Sequence, residues 1–167
     1  MLTIRPIIAS DAAAFEAGFA AQGWHKPASQ YETYLEREIN GVHRSFVAEL
    51  DGAPVGYVLL LPDSPAGPFV GSGVPCLSDF NVLKKYQRRG IGTALLDAAE
   101  TVAAETCDRV CLGVGMHSGY GAAQRLYVLR GYVPDGSGVW YNYAPAPEYG
   151  MVENGDELVL YMMKNLK

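Results

Sequence analysis

The sequence predicts an α/β fold of the α+β kind: a mixed central sheet of about seven strands, helices on both faces, one domain over residues 1–167. Three observations carry this. Short apolar-rich runs alternate with segments whose apolar residues recur at helical spacing. Turn-forming Gly, Pro and Asp-Gly punctuate most junctions. A chain of 167 residues, 49% hydrophobic and 19% charged, has the size and composition of one domain with a proper core, and is not a disordered chain.

In chain order, residues 2–6 (LTIRP) alternate as a short strand that stops at proline. Ser10 and Asp11 suit a helix start, with Phe15 and Phe19 four apart on one face. Residues 29–32 (SQYE) have the capping-box pattern and open a second helix that Gly41 ends. The loop GWHKPA, residues 23–28, joins the two. Residues 44–61 form a hairpin around Asp51-Gly52. The Pro/Gly/Ser-rich residues 62–75 make a surface excursion. Residues 76–83 (CLSDFNVL) are the next strand, feeding a basic run.

The following helix carries Ile91, Ala94, Leu95, Ala98, Ala99 and Val102 as one apolar stripe for packing on a sheet. Residues 109–115 are a buried strand, and residues 121–132 a second amphipathic helix ended by Gly131. Residues 138–144 and 156–164 are two closing strands. The order is β-α-α-β-β-β-α-β-α-β-β.

Composition excludes several functions. A net charge of -5 and a pI near 5.1 argue against a nucleic-acid partner, whose phosphates require a basic face. No apolar run approaches the roughly 18 residues of a membrane span, and the N-terminus lacks a signal peptide's basic start and apolar core. A cytoplasmic protein with no membrane partner is expected. Cys76, Cys107 and Cys111 are too few for a disulfide framework. The C-x3-C spacing of Cys107 and Cys111 has no second Cys/His pair nearby, so these read as buried small hydrophobes and no metal is expected.

One feature stands against the acidic total. Residues 84–89 (KKYQRR) hold four of the 13 Lys and Arg residues just before a helix start. A helix N-terminus offers unpaired N–H groups and about half a positive charge. Glycines there let those groups converge on an anion. Gln87, Arg88, Arg89, Gly90, Ile91 and Gly92 have that composition, Thr93 adds a hydroxyl, and Lys84 and Lys85 add charge. The turn is not a Walker loop, and without G-x-G-x-x-G a dinucleotide fold gains no support; an unrelated nucleotide-binding protein using the same loop is a further alternative. Glycine is unfavourable in a helix by about 1 kcal/mol against alanine, which weighs against a plain solvated turn.

These residues carry a resemblance. FNVLKKYQRRGIGTALLDAAE resembles the acyl-CoA-binding motif of the GNAT family of N-acetyltransferases, whose Arg/Gln-x-x-Gly-x-Gly/Ala pattern is met by Gln87, Gly90 and Gly92. AAQRLYVLRGYVPDG resembles the family's second motif, in the family's order and at a usual separation. The resemblance implies a mostly antiparallel sheet with two splayed parallel strands, here residues 76–83 and 109–115, and pantetheine lying in the gap. It implies backbone contacts to acetyl-CoA at Phe80, Asn81 and Val82, with Gln87, Arg88, Arg89, Gly90, Ile91, Gly92 and Thr93 on the phosphates.

The implied reaction is attack of an amine on a thioester, with acetyl-CoA as cosubstrate. A free alkyl amine, of pKa roughly 10, must lose a proton first. A backbone N–H, favoured at Val82, stabilises the oxyanion, and a general acid protonates the leaving thiolate. Tyr127 falls on the family's acid tyrosine. Asp79 lies where many members carry a carboxylate acting directly or through water; a solvated strand end or a cation-binding role is the alternative. His117 is a further candidate base, and water alone another. Tyr120 stands where many members have a cofactor-touching asparagine.

The acceptor side is expected from the first two helices with their loop and from the last hairpin. Trp24, Trp140 and Tyr141 are the candidate substrate-binding residues, with Tyr143 and Tyr149 as further wall and Glu148 or Glu153 to meet an ammonium. The expected partner is a small-molecule or peptide amine, and a homodimer is left open. The alternative is a catalytically silent acyl-CoA-binding or regulatory module on the same fold.

Overall fold

The hairpin turn at Asp51-Gly52 sets the first register. Both residues are left-handed (φ 51° and 85°), which matches a tight two-residue turn to the twist of its strands. In the computed structural model, which describes residues 1–167, β1 (Leu2–Arg5) pairs antiparallel with β2 (Arg44–Leu50). β2 pairs antiparallel with β3 (Ala53–Leu61) across a bulge at Ala48/Glu49. The hydrogen-bonded order is β1-β2-β3-β4-β5-β8-β6-β7, an eight-stranded mixed sheet. The strand beyond the seven expected is the two-residue β7 (Ala144–Pro145).

The chain forms two compact units, Met1–Leu61 with Ser78–Val102, and Pro62–Leu77 with Ala103–Lys167. β4 (Cys76–Val82) and α3 (Ile91–Thr106) each run through both. In the first unit, α1 (Asp11–Ala20) and α2 (Ala28–Ile39) close over an aromatic core of Phe15, Phe19, Tyr31 and Tyr57 with Ile7, Val47 and Leu83. The Phe15 ring stacks on Tyr31 and meets Tyr57 edge-on, both with centroids 5.0 Å apart.

In the second unit, β5 (Arg109–Gly115) pairs antiparallel with β8 (Leu158–Asn165), and β8 with β6 (Val133–Tyr141). The single parallel ladder joins Cys76 to Cys111 and Leu77 to Leu112. α4 (Gly121–Leu129) precedes β6. β6 begins five residues earlier than the sequence suggested. Its irregular stretch between Pro134 and Val139, with Gly136 and Gly138 left-handed, hides the alternation.

Two helix starts differ from expectation. Ser29 and Glu32 form no capping box: α2 begins at Ala28 with Pro27 in the cap position, extended and without an N–H of its own. The Ala28 N–H donates instead to Glu16 Oε1 on α1, at 3.1 Å. Ser10 makes no side-chain cap either. Asp11 fixes that end, accepting from the Ile8 N–H at 2.9 Å and from both terminal nitrogens of Arg5.

Three helix ends share one device. After α1, α2 and α4 the chain turns left-handed at Gly23, Gly41 and Gly131. In each, the next residue's N–H returns to a carbonyl five residues back, Trp24 to Phe19, Val42 to Arg37 and Tyr132 to Tyr127. Gly23, Gly41 and Gly131 bond three back, completing Schellman motifs. Trp24 then stacks on Phe19 (5.9 Å, 7°), and Tyr132 packs on Tyr127 (5.6 Å, 61°).

Candidate active site

The loop before α3 has the geometry an anion requires. Arg88 and Gly90 are left-handed at φ 61° and 78°, so the backbone curls immediately before the first helical residue, Ile91. A Cβ at Gly90 would meet nothing within 4 Å; glycine is needed there for its φ and leaves the approach open. Gln87, Arg88, Arg89, Gly90 and Thr93 are exposed, while the Ile91 side chain turns into the core. Lys85 and Arg89 lie over the Tyr86 ring at 4.9 and 5.6 Å, and Lys84 lies 5.0 Å over Trp24. Exposed N–H groups, a helix start and neighbouring cationic heads fit a phosphate.

Gln87 also works on β4. Its Nε2 donates to the Val82 carbonyl at 3.0 Å, while the Leu83 N–H of the same peptide donates to the Val55 carbonyl at 2.9 Å. The Val82–Leu83 peptide plane is thereby held at both ends. Phe80, Asn81 and Val82 lie half-buried on the strand just before it.

Asp79 is the centre of a polar cluster. Its backbone is left-handed (φ 44°) inside a strand, a strained conformation for a non-glycine residue. Its Oδ1 accepts from Lys26 Nζ at 3.0 Å and Asn81 Nδ2 at 2.8 Å. Its Oδ2 accepts from Tyr57 Oη at 2.7 Å, Tyr34 Oη at 2.8 Å and Gln30 Nε2 at 2.9 Å. A carboxylate has about four lone-pair sites, so five donors saturate it. Lys26 Nζ also donates to Tyr57 Oη and lies 5.6 and 5.8 Å from the centres of the Phe19 and Tyr57 rings. Burial, and after it the negative charge of Asp79, pushes the Tyr34 and Tyr57 hydroxyls well above the usual tyrosine range.

Lys26, Gln30, Tyr34 and Tyr57 escape a reading by motif. Gln30 and Tyr34 are bonded across one helical turn, a spacing visible in the sequence. Lys26 and Tyr57 reach Asp79 only through the tertiary fold.

In the second unit, Tyr127 sits at the C-terminal end of α4, 6% exposed, between the backbone bond from Tyr132 and the Tyr132 ring. Burial, and after it the charge at Cys76, raises its pKa, so the hydroxyl stays protonated at neutral pH. Trp140 and Tyr141 are neighbours on β6 and therefore face opposite sides of the sheet. Trp140 Nε1 donates to Ser137 Oγ at 2.8 Å, and its ring meets Tyr161. Tyr143, Glu148, Tyr149 and Glu153 are exposed.

His117 has the partner its sequence context did not reveal. Its Nε2 lies 3.1 Å from Asp156 Oδ1, and its Nδ1 accepts the Gly119 N–H. Tyr120 Oη donates to the same Asp156 oxygen. Both imidazole nitrogens are engaged, which leaves no lone pair for a substrate proton. Of the cysteines, Cys76 and Cys111 are buried and Cys107 only half so. No three His, Cys, Asp or Glu side chains gather as a metal site, and no helix is long and apolar enough to cross a membrane.

Comparison with known proteins agrees with the geometry. The model of the acetyltransferase (GNAT) family matches residues 11–132. No curated protein matches by sequence. Among solved structures, a GNAT acetyltransferase from Streptococcus pneumoniae is 21% identical with a TM-score of 0.69, each chain 99% covered. A ribosomal-protein-alanine N-acetyltransferase from Brucella melitensis is 20% identical with a TM-score of 0.70, covering 98% of this chain and 99% of that one. A chimera of Vibrio cholerae spermidine N-acetyltransferase is 16% identical with a TM-score of 0.70, covering 99% and 95%. At these identities the structures speak for the fold alone, and the sequence match over residues 11–132 speaks for descent: the chain belongs to the acetyltransferase (GNAT) family.

Proposed function

We propose that the protein is an acetyl-CoA-dependent N-acetyltransferase that acetylates a primary amine by direct attack in a ternary complex. The observation that carries this is the curled backbone at Arg88–Gly90 at the start of α3, with exposed cations beside it. The N–H groups of residues 87–93 hold the phosphates of the cosubstrate, and the backbone of Phe80, Asn81 and Val82 holds its pantetheine arm. The Val82 N–H stabilises the carbonyl oxygen as charge develops on it. Gln87, bonded to the adjoining carbonyl, orients that stretch of strand.

Tyr127 donates its proton to the departing thiolate. Asp79, expected from the sequence as a base, is in this proposal the residue that shapes the strand and receives the acceptor. Its lone pairs are already taken, so the amine loses its proton to water. Trp24 lines the acceptor side, and of Trp140 and Tyr141 only one does, because they face opposite ways. The partner is the amine acceptor, and the compartment we propose is the cytoplasm.

Calorimetric titration with acetyl-CoA, with ATP as control, tests the reading. Micromolar binding of acetyl-CoA and none of ATP supports it. Folded protein that binds no acetyl-CoA overturns it.

A further inference from the structure

The Lys26–Asp79 ion pair narrows the acceptor. Both side chains lie within the first unit and are about one-fifth exposed, 19% and 22%. Solvent therefore reaches a charge pair that is otherwise enclosed by Phe19, Tyr34 and Tyr57. Asp79 has no lone pair to spare. An incoming ammonium that leaves the four neutral donors in place reaches this carboxylate by taking the place of Lys26.

Charge balance decides which amines can make that exchange. A monocation that displaces Lys26 exchanges one ion pair for another and leaves a partly buried ammonium without a counter-charge, a heavily penalised state. A polycation adds repulsion between its further charges and Lys26. A zwitterion with carboxylate and ammonium on one carbon avoids both penalties. Its ammonium pairs with Asp79, its carboxylate pairs with Lys26, and the single internal pair becomes two. Tyr57 Oη, which touches both Lys26 and Asp79, lies where it can bond to either group.

We propose that the acceptor is a free α-amino acid, recognised through its carboxylate by Lys26 and through its ammonium by Asp79. This rests on the acetyltransferase reading above. The α-nitrogen, after giving a proton to solvent, attacks the thioester carbon. An N–C bond forms, the C–S bond breaks, one of the two remaining nitrogen protons is lost while the other stays on the amide, and the sulfur takes up a proton and leaves as a thiol. The products are an N-acetyl amino acid and free CoA.

The test measures thiol release from acetyl-CoA with glycine, leucine, methionine and phenylalanine, each beside its carboxamide, and with 1,4-diaminobutane. The acids are expected to exceed their carboxamides in kcat/KM by at least about tenfold for one or more side chains, the effect of a charge-assisted pair. The amine of a carboxamide is the less basic and so the more often neutral, which makes higher turnover of the acid attributable to its carboxylate. Lys26→Met should abolish the difference between acid and carboxamide, and Lys26→Arg should retain it. Calorimetry on each variant confirms that acetyl-CoA still binds.

Carboxamides or the diamine turned over as well as the acids overturn the proposal, as does turnover of none of the acids by protein that binds acetyl-CoA. A preference for acids that survives in Lys26→Met overturns the role of Lys26. Absence of acetyl-CoA binding is a separate result that removes the underlying enzyme reading as well.

Discussion

Gln87 Nε2 donates to the backbone carbonyl of Val82 at 3.0 Å. The first side chain of the glycine-rich turn is thus tied to the strand whose backbone is proposed to hold the thioester. Gln87→Ala should weaken acetyl-CoA binding by about tenfold, the value of roughly one neutral hydrogen bond, with thermal stability nearly unchanged. Calorimetry beside a melting curve distinguishes this from general loosening: equal loss in both would remove the orienting role.

Gly90 separates two kinds of substitution. Gly90→Ala introduces about 1–2 kcal/mol of left-handed strain without filling the approach and should weaken acetyl-CoA binding moderately. Gly90→Glu adds a carboxylate where phosphate is proposed and should abolish binding while the protein stays folded. Unchanged affinity in a folded Gly90→Glu protein would sink the phosphate site.

Tyr127→Phe keeps the ring that packs on Tyr132 and removes only the hydroxyl. Turnover should fall while acetyl-CoA affinity stays within about twofold, in line with the 10²–10⁴-fold of general-acid catalysis at most. Equal turnover, measured where chemistry limits the rate, would take Tyr127 out of the acid role.

Alkali should unfold this protein more readily than its composition suggests. Tyr34 and Tyr57 have their pKa raised in the fold, by burial first and the charge of Asp79 second. Above the ordinary tyrosine value of 10.0 the unfolded chain loses these protons while the folded one keeps them. The unfolded state then binds fewer protons, so stability falls as pH rises, by up to about 1.4 kcal/mol per pH unit for each tyrosine. Their contribution is fully present below pH 10.0. Urea unfolding at several pH values from about 9 to 11 measures the slope; burial raises Tyr31, Tyr127 and Tyr161 too, so Tyr57→Phe should remove only its own share, up to about 1.4 kcal/mol per pH unit. An identical slope would assign the alkaline transition to other groups.

Legibility from sequence tracked distance along the chain. The α3 stripe, the Asp51-Gly52 turn and the glycine stops at Gly41 and Gly131 depend on a few consecutive residues, and the fold obeys them. The curl of the backbone before α3 was equally readable, because the glycines and their place before a helix are both local. The partners of Asp79 were not: Lys26, Gln30 and Tyr34 come from 53, 49 and 45 residues away. The capping box at Ser29 failed because the helix begins one residue earlier, at Ala28 after Pro27, with the Ala28 N–H held by the distant Glu16 on α1. His117 looked partnerless because Asp156 is 39 residues distant.

The Schellman end of α1 has a consequence for how acceptor choice can change. Gly23 completes the helix by itself, with Trp24 folded back onto Phe19, so the C-terminal carbonyls of α1 take no bond from the residues beyond Trp24. Residues 25–27 hang between that self-contained end and the start of α2, where Ala28 is tied to Glu16. Within this segment the Lys26 side chain reaches Asp79 and Tyr57 and bonds to neither helix end, so it can be exchanged while both helices keep their ends. In the proposed acceptor site, preference is in that sense modular, resting on one side chain that neither helix end requires.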